Sequence, residues 1–221
     1  SACTGFLSGL ALADGMIVSA RSHNVLLVGA ETMSRVLDWQ DRATCVLFGD
    51  AAGAALLQST DTGGGVLQTL LGSDGSGAMS LHLPGGGSRH PASTQTVNEG
   101  QHFLKMDGRE VYKFAIRAMI DCTLDTAHKA GLSLDDFDLF IPHQANIRII
   151  NSAIRELKIP PSKVFTNVHR YGNTSAASIP LALCEAISEG RIKPDDHILM
   201  VAFGAGLSWA GAALRWTASV S

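Results

Sequence analysis

Three short strings hold the side chains best suited to chemistry. The first is Ser1-Ala-Cys-Thr-Gly-Phe6, in which Cys3 opens a helical stretch. A helix N-terminus presents unpaired N–H groups and the positive end of a dipole. Both favour a thiolate, and the same amides can donate to the oxygen of an acyl carbonyl. A buried, inert cysteine would fit the position too. The second string is Phe140-Ile-Pro-His-Gln-Ala-Asn146, an apolar strand ending in Pro-His. It puts His143 at a carboxyl edge of a sheet, where α/β proteins build their sites, although a packed histidine bonded to backbone reads the same way. The third is His169-Arg-Tyr-Gly-Asn-Thr-Ser-Ala-Ala-Ser178, where Gly172 permits a tight turn and Asn173 takes a helix-cap position, with plain capping as its simpler role.

Apolar periodicity and turn residues predict the elements that must position these groups. A helix is expected over Gly5–Ala20, with Phe6, Leu10, Ala13 and Ile17 on one stripe. Buried strands follow at Val25–Ala30, Thr44–Phe48 and Gly53–Gln58. Gly63–Gly100 is mostly loop around one strand at Val66–Leu71, and Phe103–Met106 reads as another strand. Then come a helix over Glu110–Lys129, a strand at Leu139–Ile141 and a helix over Ile147–Leu157 stopped by Pro160-Pro161. A helix over Thr174–Ser188 and strands at His197–Phe203 and Leu207–Trp216 complete the pattern. Alternating helices and buried strands indicate a layered α/β fold.

The chain also repeats itself. The pentapeptide Ala-Gly-Ala-Ala-Leu occurs at Ala52–Leu56 and Ala210–Leu214, each time shortly after a Phe-Gly step. Val25-Leu-Leu-Val28 pairs with Ile198-Leu-Met-Val201, and Leu10-Ala-Leu12 with Leu181-Ala-Leu183. The offsets are 158 residues (210 − 52) and 171 (181 − 10). In this register Cys3 and the Asn173-Thr174 pair lie at equivalent helix starts of two related halves, and pseudo-twofold symmetry would bring both to one centre. The halves are residues 1–60 and 61–221. The first is expected to be short of its beginning by about 100 residues, within a duplicated whole of roughly 300. Missing strands would leave apolar faces uncovered, so the lone chain is expected to be inactive and prone to associate, with activity returning when the amino-terminal segment is supplied.

Six strings taken in order, Ala2-Cys-Thr-Gly-Phe6, Asp41-Arg42, Phe48-Gly-Asp-Ala-Ala-Gly53, Pro142-His-Gln-Ala-Asn146, Gly172-Asn-Thr-Ser-Ala-Ala-Ser178 and Phe203-Gly-Ala-Gly206, resemble β-ketoacyl-acyl-carrier-protein synthase III. The resemblance implies the thiolase-like fold, a duplicated α-β-α architecture with mixed five-stranded sheets, here with its first half incomplete. It implies condensation of an acyl-CoA primer with malonyl-acyl-carrier-protein, in the cytoplasm, by a homodimer. Cys3 matches the acyl-accepting nucleophile, and His143 and Asn173 match the pair assisting malonyl decarboxylation. The backbone amides of Cys3 and Ala205 match an oxyanion hole. Arg42 matches a residue near the CoA adenine, Lys113 and Arg148 match basic positions for the carrier protein and its phosphopantetheine, and Leu47 and Phe48 lie by the acyl tunnel. CoA and phosphopantetheine thioesters are substrates, and no resident cofactor or metal is expected. Alternatives are a thiolase-fold enzyme of polyketide or other acyl-CoA metabolism, a non-catalytic fragment of a complex, and a Cys-His hydrolase.

Composition narrows the remaining classes. Of 221 residues, 46% are apolar and 17% charged, enough for a sizeable core and too ordered for a disordered or fibrous chain. A net charge of −3 gives no basic field for nucleic acid or an anionic membrane. Apolar runs fall well short of the ~20 residues of a membrane span, and no secretory signal opens the chain. Cysteines at 3, 45, 122 and 184 are too dispersed for a zinc knuckle, which suggests a reduced, cytosolic protein with Cys45, Cys122 and Cys184 in the core. Gly85-Gly-Gly-Ser88 lacks the Lys-Ser/Thr of a phosphate loop, and His82, His90 and His102 lack metal-ligand spacing and are expected to face solvent.

Overall fold

The computed structural model describes residues 1–61 and 63–218. Helix α1 (Gly5–Val18) leads into strand β1 (Asn24–Thr32), which pairs antiparallel with β2 (Asp50–Gln58). Next come β3 (Gly65–Ser73), the two-residue β4 (Leu81–His82), the short α2 (Thr94–Asn98) and β5 (Lys105–Met106), β4 and β5 forming a separate ladder. The remainder runs α3 (Gly108–Lys129), β6 (Leu139–Pro142), α4 (Ile147–Leu157), α5 (Val168–Tyr171), α6 (Ser178–Ser188), β7 (His197–Gly204) and β8 (Ser208–Arg215).

The larger sheet has the order β3-β8-β7-β6, with β6 and β7 parallel and the other pairs antiparallel. Side-chain alternation splits its core in two. Ile198, Met200 and Ala202 of β7 pack toward α1 and α6, while Leu199, Val201 and Phe203 pack toward α3 and α4. Both faces are covered, so β7 reads as one continuous apolar run. Helices α1 and α6 also carry the β1–β2 pair on their other side, through Leu27, Ala55 and Leu57. The repeated pentapeptides share a packing task. A Cβ at Gly53 would stand 2.8 Å from Pro180 of α6, and one at Gly211 would meet Cys122 Sγ of α3 at 3.0 Å. In each copy the glycine lets a helix lie close on a strand.

Several expectations need correction. In place of five-stranded sheets, the described residues hold one sheet of four strands and two of two strands, β1–β2 and the short β4–β5. Beside β6 a fifth position shrinks to a single bridge between Phe140 and Val164, and the residues just before it, Pro161–Lys163, are wound into a 3-10 turn. Thr44–Phe48 is a turn rather than a strand, apart from a bridge at Phe48. The Asp41 carboxylate accepts from the Ala43 N–H at 2.9 Å and the Thr44 hydroxyl at 2.9 Å, capturing the backbone locally. Phe103–Met106 pairs only at its last two residues. The helix expected from Thr174 starts as a 3-10 turn over Ser175–Ala177. Of the cysteines expected in the core, Cys122 is buried, Cys45 is half-buried and Cys184 is exposed. His102 is tied to the Thr96 hydroxyl at 2.9 Å instead of facing solvent freely.

The outer face of β1–β2 is apolar and open. Leu26 and Leu56, directly opposite one another in the ladder, are 68% and 62% exposed. Patches of this kind recruit partners. A Leu26→Glu/Leu56→Glu variant is expected to shift the chain toward its smallest species in sedimentation velocity, with the circular dichroism spectrum unchanged. Unchanged association would place the sticky surface elsewhere.

Candidate active site

Cys3, His143 and Asn173 line one cavity of about 230 Å³ together with Leu47, Phe48 and Gly204. Each arrives from a different element. Parallel β6 and β7 end on the same side of the sheet, so His143 just after β6 and Gly204 at the end of β7 come out together. Cys3 precedes α1, where the Gly5 N–H donates to the Ala2 carbonyl at 2.7 Å. A Cβ at Gly204 would sit 2.9 Å from the Cys3 nitrogen and 3.0 Å from its Cβ, so only glycine lets the strand end press against this residue. Asn173 is held from the other side: its N–H donates to the Leu47 carbonyl at 2.8 Å, and the Gly49 N–H donates back to the Asn173 carbonyl at 2.9 Å.

Burial sets the electrostatics. Cys3 is 6% exposed and His143 1%. Loss of solvent pushes the Cys3 thiol up to about 11; a hydrogen bond from the Ser175 side chain acts in the opposite direction, and the Glu31 charge adds to the rise. The helix start therefore does not leave Cys3 as a resting thiolate, contrary to the expectation from its position. Burial likewise pushes His143 down to about 3, so the ring is neutral across the physiological range. Its Nδ1 lies 2.6 Å from the Ser178 hydroxyl oxygen, which also accepts from the Gln144 N–H at 3.5 Å. A Ser178 hydroxyl that donates to Nδ1 leaves the ring proton on Nε2, the tautomer that would give the cavity a donor. Nε2 is buried without a protein partner among the described residues. The Phe203 ring, 5.3 Å away and near perpendicular, fixes the imidazole plane.

Asn173 presents the complementary donor. Its Oδ1 accepts from the Ser175 N–H at 2.9 Å, leaving the NH₂ end of the amide for the cavity. Gln144, next to His143, is a brace. Its amide donates to the carbonyls of Pro142 (2.7 Å) and Phe165 (3.3 Å), and its oxygen accepts from the N–H groups of Asn167 (2.9 Å) and Val168 (3.2 Å). The arrangement offers one nucleophile and two neutral hydrogen-bond donors in an apolar chamber.

Other expected site residues lie around this chamber. Arg42 and Arg148 are exposed, and the Lys113 ammonium pairs with Glu110 at 2.8 Å. Lys113 and Arg148 sit on α3 and α4, whose first turns contribute Val111, Tyr112 and Ile149 to the cavity wall. Ala205 follows Gly204 and packs against the cluster of Leu37, Leu81 and Leu104. Ser178, Ser175 and Gly204 escaped the sequence reading as supports of the site, although each lies within a string quoted above.

Comparison with known proteins follows the same residues. The family model for 3-oxoacyl-[acyl-carrier-protein] synthase III matches residues 1–75, and the model for the C-terminal region of the same synthase matches residues 127–216. The chain belongs to the β-ketoacyl-acyl-carrier-protein synthase III family. A family member of Symbiobacterium thermophilum is 50% identical over 98% of this chain and 66% of its own length. One of Natranaerobius thermophilus is 48% identical over 98% and 67%. The crystal structure of a Thermus thermophilus member superposes with a TM-score of 0.90 at 48% identity, covering 98% of this chain and 66% of that one. The fold is thus the mixed α/β thiolase-like fold, and the chain spans about two thirds of the length of the relatives it matches.

Two outcomes are expected from this geometry. Alkylation of Cys3 by iodoacetamide, followed by peptide mass mapping, should keep rising about tenfold per pH unit between pH 8 and 10, because thiolate is the reactive form. A plateau near the ordinary thiol value of 9.0 would mean that burial does not govern the group. Gly204→Ala should speed that alkylation, because a Cβ there displaces Cys3 from its buried seat, and an unchanged rate would mean that this contact does not hold the residue.

Proposed function

We propose that this chain carries the condensing site of an acyltransferase that joins an acyl-CoA primer to malonyl-acyl-carrier-protein with loss of CO₂, initiating type II fatty acid synthesis. The observation that carries the reading is the convergence of Cys3, neutral His143 and Asn173 on one buried cavity. The Cys3 sulfur attacks the acyl thioester carbonyl, the bond to CoA breaks, and the thiol proton leaves with the CoA sulfur. A histidine held near 3 is too weak a base to retain that proton. Acyl-Cys3 then receives the malonyl thioester. Loss of CO₂ places an enolate oxygen between His143 Nε2–H and the Asn173 amide, and the enolate carbon attacks acyl-Cys3, expelling the thiolate.

Neutral donors suit this role because a buried cation would oppose its own desolvation, whereas an N–H dipole is already in place. Backbone amides of Cys3 and Ala205 serve the acyl oxygen. Leu47 and Phe48 wall the acyl chain. Arg42, Lys113 and Arg148 provide exposed cations for CoA phosphates and an acidic carrier protein. Residues 1–60 and 61–221 act as parts of two related halves; a second copy of the chain and the segment by which relatives are longer complete the assembly.

The test uses intact mass after incubation with acetyl-CoA, for the chain alone and mixed with the corresponding amino-terminal segment of the Symbiobacterium thermophilum relative. A single acetyl adduct on Cys3 is expected in the mixture and little without the segment. Cys3→Ser should abolish it, since an alcohol without an adjacent base is a poor nucleophile. His143→Ala and Asn173→Ala should keep measurable acylation while malonyl-thioester decarboxylation falls by roughly 10² to 10³, the usual loss for one such donor. Acylation at another cysteine, or release of free acid without condensation, would overturn the reading.

A further inference from the structure

Glu31 occupies an unusual place. Along β1 the odd positions face inward, and Val25, Leu27 and Gly29 form an apolar row that ends in this carboxylate. Two residues earlier, a Cβ at Gly29 would stand 2.7 Å from the Ala176 carbonyl, so the strand is pressed against the turn that follows Asn173. At that turn Ser175, 3% exposed, takes φ +50, a left-handed conformation that side chains other than glycine, asparagine and aspartate rarely adopt. Such a residue persists only where its surroundings hold it.

Glu31 supplies the hold. Its Oε1 accepts from the Ser175 hydroxyl at 3.0 Å and from the Ala176 N–H at 3.3 Å. The Ser175 N–H in turn donates to Asn173 Oδ1 at 2.9 Å. We propose that Glu31 is a positioning residue, whose carboxylate pins the Ser175–Ala176 turn from β1 and thereby fixes which end of the Asn173 amide faces the cavity.

Released from this turn, the Asn173 amide could rotate and offer its oxygen, an acceptor, where a developing enolate needs a donor. Glu31 is the charged group whose field reaches Cys3, and that field opposes thiolate formation. Its presence therefore does not serve the nucleophile directly, which is consistent with a role on the Asn173 side. The meaning of that role for catalysis rests on the condensing reading, but the pinning itself does not.

The experiment compares wild type, Glu31→Ala, Glu31→Gln and Ser175→Gly in the 221-residue chain. Amide hydrogen exchange at residues 174–177 is read first. Glu31→Ala should accelerate it at least tenfold, while Glu31→Gln should restore protection, because both bonds go to Oε1 and an amide keeps that acceptor. Ser175→Gly, which tolerates the positive φ but lacks the hydroxyl, should fall between. In the mixture described above, Glu31→Ala should lower malonyl-thioester decarboxylation about tenfold, the worth of roughly one hydrogen bond, with Cys3 acylation no slower than in wild type, because a charge that opposes its thiolate is gone.

Unchanged exchange in Glu31→Ala would overturn the proposal. So would an equal fall in both half-reactions, which would mark Glu31 as a support of the fold at large. If wild type shows no decarboxylation while exchange responds as described, the condensing reading fails and the pinning by Glu31 stands.

Discussion

Two backbone hydrogen bonds between distant segments govern the site. Asn173 N–H to the Leu47 carbonyl and Gly49 N–H to the Asn173 carbonyl stitch the loop before β2 to the turn before α6. The contact is tight enough to dictate residue type on both sides. A side chain at Gly49 would collide with the Tyr171 carbonyl, and Gly172, at φ +68, leaves 2.8 Å between a would-be Cβ and the Leu47 carbonyl. The stitch sets the depth of Asn173 in the cavity and forms the wall of Leu47 and Phe48. Cys3 lines the same cavity, held against Gly204.

Charge is nearly absent from the chamber so formed. The imidazole is neutral, the thiol is protonated at rest, and the amide is a fixed dipole. Such a site avoids the cost of burying ions and relies on orientation instead. Orientation is where the surrounding polar network matters: Ser178 holds the histidine by Nδ1, Gln144 joins the backbone around β6 to that before α5, and Ser175 assigns the ends of the Asn173 amide. Asn167 extends the network outward to the Glu185 carboxylate at 2.7 Å.

Much of this was legible in the residues. The helix over Ile147–Leu157 matches residue for residue, since Asn146 caps its start and a proline pair lies just beyond its end. The Cys, His and Asn strings do meet in one cavity. Failures occurred where a competing interaction outweighed the signal that was read. Thr44–Phe48 has strand composition, yet the Thr44 and Cys45 N–H groups donate back to the Asp41 carbonyl and close a turn. Cys3 has a helix-start context, but position in a chain carries no information on depth, and depth decides its ionisation. The Glu31–Ser175 contact joins residues 144 apart, and neither neighbourhood hints at the other.

The deep seat of Cys3 bears on its durability as well as its reactivity. Peroxides and related oxidants attack the thiolate, and sulfenic acid formation follows both thiolate content and access. At neutral pH a thiol titrating near 11 holds on the order of 10⁻⁴ of its population as anion, and the chamber screens even that fraction. Cys184 lies exposed on α6 and would meet an oxidant in solvent first. The packing that delays ionisation of the sulfur thus also keeps oxidants from reaching it.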